Sequence, residues 1–225
     1  MKSRQSGFTL VEIAIVLVII GLLLGGVLKG QELINSAKVK NFATDFRNIP
    51  LFIYGFQDKY KVLPGDDWNI SAKIPNSTNA SSPALMGNNG RIDGFWNTVT
   101  VTDESMLFWQ HVRLAGLATG STVVAADNTY WPVNADGGRI GIESGSSNFI
   151  QNGATGTFLQ GAYVVCSNGI LGKFALQLDT MMDDGSPNTG SMRVVATDHT
   201  RGNAALAIAT IQAAPDSPYT VCMGL

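Results

Sequence analysis

Few residues of this chain have the type and spacing to do chemistry. Glu12 stands out, a carboxylate inside the run Phe8 to Leu28, where Thr9 is the other polar residue. A charge at mid-membrane costs about 2.5–3.5 kcal/mol by insertion scales, and less near an end, so such an acid calls for a positive partner. A second group is Asp179, Asp183 and Asp184, which crowd one stretch ending in Gly185-Ser186-Pro187-Asn188-Thr189-Gly190. Asp179 and Asp183 are like charges four residues apart near the end of a helix expected over 171–182, where the macrodipole disfavours acids. Solvent, capping of loop amides or a bound cation would each offset that. Two cysteines occur, Cys166 and Cys222, and two histidines, His111 and His199. His111 has no partner at catalytic spacing and reads as structural, and His199, in Asp198-His199-Thr200-Arg201, reads as a polar turn residue. The chain has no Gly-x-Ser-x-Gly, His-Glu-x-x-His or phosphate-binding Gly-Lys-Ser/Thr motif. A membrane-anchored enzyme therefore has thin support, and the reading is that the chain is not an enzyme.

The element that must position Glu12 is the apolar run itself. Its 21 residues make a helix of roughly 32 Å, enough to cross a bilayer core. Lys2 and Arg4 precede it and predict that its N-terminal end faces the cytoplasm. No small-residue cleavage site of the A-x-A kind follows the run, unlike an ordinary signal peptide. Beyond it, Phe42, Phe46, Ile49, Ile53, Phe56 and Tyr60 recur at spacings of 4, 3, 4, 3 and 4, an amphipathic stripe that continues the helix and predicts a buried face. Gly21, Gly25, Gly26 and Gly30 weaken the upper helix, and Pro50 is expected to kink the lower one. The helix is expected to end near Lys61, before Leu63-Pro64-Gly65-Asp66.

The basic leader, Gly7 followed by Phe8, Thr9-Leu10-Val11-Glu12 and the long apolar helix closely resemble the processing site of type IV pilins and of the pseudopilins of type II secretion systems. The resemblance covers about the first 30 residues. It implies a prepilin peptidase that cuts between Gly7 and Phe8 on the cytoplasmic side and methylates the new amino group of Phe8. It implies that Glu12 pairs with the Phe8 ammonium of a neighbouring subunit inside a filament. Two desolvated opposite charges have a reason to meet where neither is tolerated alone. The alternative is an uncleaved anchor with a chance glutamate. The acidic turn after 179 looks like an Asp-Asp-Gly turn of some pseudopilin-like proteins. Calcium is known in part of that wider family, so calcium is the cation expected if one is bound at Asp179, Asp183 and Asp184, with a capped surface turn as the alternative. No other cofactor is implied.

Composition fits an exported module. Charged residues are 14% of the chain, against roughly 25% in ordinary soluble domains. The formal charge of −2 falls by two, to −4, when Lys2 and Arg4 leave with the leader. No basic patch points to nucleic acid. An even cysteine count in an exported domain reads as one disulfide, Cys166 to Cys222, in agreement with the resemblance; two buried thiols are the alternative. Closing so long a loop is worth ~4 kcal/mol in the chain-entropy model.

The expected organisation is a leader at 1–7, a membrane or filament-core helix at 8–30, an amphipathic half at 31–62 and a globular domain at 63–225. The fold class is α+β, a long N-terminal helix packed on an antiparallel sheet. Loops are expected from Asp66 to Thr102 and a short helix from Met106 to Ala118. Strand signals lie at 122–126, 129–133, 139–143, 158–167, 192–198 and 204–212. The leading functional reading is a major or minor pilin of a type IV pilus-like filament. It is made in the inner membrane and extracted by an assembly platform into a periplasmic or surface filament with other pilins. The alternatives are a secretion pseudopilin and, from another class, an anchored surface-binding module using Trp68, Trp96 or Trp131.

Overall fold

The computed structural model describes residues 9–80, 87–146, 148–152 and 156–225. Helix α1 spans Leu10–Tyr60 without a break, through its glycines and Pro50. The described residues up to Lys38 form one compact unit and Val39–Leu225 another, so α1 contributes to both. Helix α2 follows at Glu104–Leu114, strand β1 at Ile140–Ser144 and strand β2 at Tyr163–Leu171. Helix α3 spans Gly172–Met182, strand β3 Met192–Ala196, helix α4 Ile208–Ala213 and strand β4 Pro218–Gly224. The fold is α+β, with the lower half of α1 packed on a four-stranded sheet of order β1-β2-β4-β3, every pair antiparallel.

The stripe read from the sequence is the seam of this packing. Phe42, Phe46, Ile49, Ile53 and Phe56 are buried, joined by Val39 and Ala43. They share one core with Ile140 and Ile142 of β1, Val165 of β2, Met192 and Val194 of β3, and Val221 of β4. The alternate residues Val164, Cys166, Val195 and Cys222 point into a second cluster with Phe149, Ile150 and Leu159. Both faces of the sheet are thus covered, as the period of two in side-chain direction requires. In β2, one extra residue bulges between Ser167 and Ile170 against β4.

The helix ends where the backbone turns left-handed at Lys61, with φ of 61°, whose N–H donates to the Gln57 carbonyl at 2.8 Å. The segment behind it is pinned to α2 by His111. Its Nδ1 accepts the Gly65 N–H at 2.8 Å, and its Nε2 lies 2.8 Å from the Thr78 carbonyl. One partner donates and the other accepts, so the ring is neutral with its proton on Nε2. Gly65 has φ of +96°, and a Cβ there would come 2.4 Å from the Glu104 carbonyl oxygen. Only glycine fits at that approach.

Several strand expectations fail. Residues 204–212 are not a strand: Ala204 makes an isolated bridge with Gln151, and α4 takes over at Ile208. The stretch is alanine-rich and stops before Pro215, which suits a short helix anchored by the buried Ile211. Residues 122–126 form no strand, and side chains of α2 hold the start of the segment and the turn before it. Arg113 donates to the carbonyls of Thr119 and Ser121, and the Gln110 amide donates to that of Thr122. Of 129–133, only Val133 pairs, in a bridge to Arg139. The strand left unread, β4, lies between β2 and β3.

Candidate functional site

The N-terminal site begins at Thr9. Gly7 and Phe8 lie outside the described residues. Thr9 precedes the first residue of α1, and Glu12 is three residues on. The Thr9 N–H and hydroxyl both donate to Glu12 Oε2 at 2.7 Å, and the Glu12 N–H donates to Thr9 Oγ at 3.3 Å. This is a capping box, in which each residue satisfies an orphan donor at the other's backbone. Glu12 is exposed, and its charge is held locally rather than by any basic side chain among the described residues. The reading from the sequence places Thr9 in the motif beside Glu12 but misses its capping role, although Thr-x-x-Glu before an apolar run is the signature of such a box.

Below this cap, the helix is apolar and bare. Leu17, Leu22 and Leu24 are each at least 60% exposed. It is long and apolar enough to cross a membrane, and none of its most apolar stretch is buried among the described residues.

The two cysteines sit directly opposite each other on β2 and β4 and form a disulfide inside the second cluster. The structure therefore joins neighbouring strands at the sheet centre.

The three acids also converge. Each of Asp179, Asp183 and Asp184 offers a carboxylate oxygen, and these oxygens lie within 4.8 Å of one another. Asp183 caps the loop: its Oδ2 accepts the Met192 N–H at 2.8 Å and its Oδ1 the Ser191 hydroxyl at 2.9 Å. Gly190 passes so close that a Cβ there would meet Asp183 Oδ2 at 2.0 Å, with φ of +66°. Asp184 accepts the Ser186 N–H at 2.9 Å and the Thr189 hydroxyl at 2.6 Å. Asp179 differs. It is fully buried beside Leu178 and Ala175, and neither of its oxygens has a hydrogen-bond partner among the described residues. Burial, then Asp184 and Asp183, push its carboxyl up to about 7. The sequence showed the clash between Asp179 and Asp183 but not that Asp179 faces inward.

His111 is buried and stacked near Phe56, with ring centroids 6.2 Å apart, and is structural. His199 lies in a turn, its Nε2 3.3 Å from the Asn203 carbonyl. Trp68 is exposed, while Trp96 and Trp131 are half-buried, so the three differ in what they offer a ligand.

A family model described as the prokaryotic N-terminal methylation motif matches residues 2–28. No curated protein matches the chain. The motif points to a structural family that is generally non-enzymatic, and together with the apolar helix it fits a membrane-anchored pilin precursor. The chain carries the prokaryotic N-terminal methylation motif, the hallmark of type IV pilins and pseudopilins.

Proposed function

We propose that this chain is a major or minor pilin of a type IV pilus-like filament. The observation that carries the reading is the capped, bare helix: its upper half exposes an apolar surface among the described residues, with one acid at its head. Lipid covers such a surface before assembly, and sister helices cover it afterwards. In this reading the precursor sits in the inner membrane with its N-terminus in the cytoplasm. Prepilin peptidase cuts between Gly7 and Phe8 and methylates the Phe8 amine. An assembly platform then extracts the subunit, because the chain has no phosphate-binding loop of its own to drive that work.

Glu12 changes partner in this step. In the single chain it is satisfied by Thr9. In the filament it meets the Phe8 ammonium of a neighbour, and a charged pair shielded from water is stronger than a capping contact facing solvent. That exchange selects the register of one helix against the next, as buried charges do in other helical assemblies. The Val39–Leu225 unit is displayed outside the filament core.

The test is mass spectrometry of the N-terminus in sheared surface fibres, which is expected to read methylated Phe8. Glu12→Ala is expected to leave processing largely intact and to reduce fibre yield sharply. Normal fibre yield from that variant counts against the role given to Glu12.

A further inference from the structure

We propose that Asp179, Asp183 and Asp184 bind one divalent cation of the calcium class, which clamps the end of α3 to the start of β3. The first observation is the spacing. Oxygens on one calcium ion, each at about 2.4 Å from it, lie no more than about 4.8 Å apart, and the three acids offer a set of oxygens within 4.8 Å of one another. The second is independent of the first. Asp179 is fully buried, and both its oxygens lack a partner among the described residues. A buried carboxylate without donors is costly and uncommon. Asp183 and Asp184 leave it unsatisfied because their own oxygens are acceptors as well.

The neighbouring protein cation does not fill the gap. Arg193 feels the charge of Asp183, but its Nη1 is engaged by the carbonyls of Ile150 and Thr157. It makes no ion pair with the three acids among the described residues. The donor set is oxygen alone, which selects a hard cation over zinc or copper. The hydrogen bonds from Ser191, Met192, Ser186 and Thr189 orient Asp183 and Asp184 and leave each carboxylate lone pairs to spare. An ion there joins the body of α3, through Asp179, to the loop that delivers the chain into β3. It also relieves the repulsion between Asp179 and Asp183 at the carbonyl end of the helix. The inference holds whichever filament the chain joins.

The rival state is a neutral, protonated Asp179 with no ion. Calcium titration of the full-length chain in detergent separates the two. Calorimetry is expected to show one calcium ion per chain, and the melting temperature of the Val39–Leu225 unit is expected to rise with calcium. Asp179→Asn and Asp184→Asn are each expected to lose both effects. In calcium-free buffer, Asp179→Asn is expected to melt no lower than the parent, because it keeps the shape and places no ionisable group in the buried position. That result distinguishes a lost ligand from a damaged fold. A parent chain that neither binds calcium nor gains stability from it overturns the proposal. So does calcium binding by Asp179→Asn as tight as the parent's. Should that variant fail to fold, Asp184→Asn and the parent titration decide.

Discussion

Helix α1 solves two different problems along one backbone. From Leu10 to Lys38 its leucines and valines are exposed on all sides, whereas from Val39 to Tyr60 one apolar stripe is buried and Leu51 and Tyr54 are exposed away from it. The same secondary structure is thus held by opposite means. The upper half satisfies its backbone internally and needs an apolar surrounding, which makes it a helix in lipid or in a bundle but a poor one in water. The lower half has charges on its outer face, such as Lys40, Arg47 and Asp58, and draws its stability from the sheet. Helical propensity does not separate the halves; the period of apolar residues does.

The strongest way to break this comparison is to cut the same kind of side chain in each half. Phe46 is 1% exposed within the core. Phe46→Ala is expected to cost about 3–5 kcal/mol, lost contacts and cavity together. Leu17 is 63% exposed, and Leu17→Ala is expected to leave the melting of the Val39–Leu225 unit unchanged. Chemical denaturation of both variants in detergent checks the pair. Equal losses would mean that the upper half folds against the rest of the chain, and the contrast would fail.

That contrast was legible in the sequence because each half repeats one rule over many residues. The sheet was harder for a physical reason. Its two faces are both covered, one by α1 and one by the cluster around Phe149 and Ile150. Strands buried on both sides lose the polar alternation that marks a half-exposed strand. Strand β4 reads Pro-Tyr-Thr-Val-Cys-Met-Gly, with a proline at its start and no clean alternation, yet it is central. The segment 204–212 has β-branched residues among alanines, and it became α4 because Ile211 is buried from a helix. At the candidate sites, the types were readable and the surroundings were not. Thr-x-x-Glu was in plain view at Thr9, while the burial of Asp179 depends on how α3 rotates against the sheet.

The disulfide sharpens the comparison with a slightly smaller effect. Cys166 and Cys222 lie on the sheet face away from α1, in the second cluster. Cys166→Ala with Cys222→Ala is expected to destabilise the Val39–Leu225 unit by about 2–5 kcal/mol, mostly through the freed unfolded chain. Membrane retention of the precursor is expected to stay as it was, because that depends on the upper half of α1. Denaturation curves and membrane fractionation read the two outcomes separately.

The last test uses pH, which acts on the lower unit through a residue with no counterpart above Lys38. Burial lowers the His111 pKa to about 4. A proton added to Nδ1 would point at the Gly65 N–H, which now donates to that atom, so charging the ring breaks the tie between α2 and the segment after α1. The unfolded chain binds this proton near pH 6.5, its ordinary value, and the folded one only near pH 4. Stability from this group is therefore full above about 6.5 and declines as pH falls towards about 4, by on the order of 2–3 kcal/mol. Glu104, held up at about 8 by burial, and, in calcium-free buffer, Asp179, at about 7, have the opposite sign and gain stability over the same descent. Comparing variant with parent removes their contribution. His111→Gln is expected to be less stable at neutral pH and to show a flatter loss between pH 6.5 and 4. Parallel curves for the two proteins would mean that His111 does not titrate against the fold.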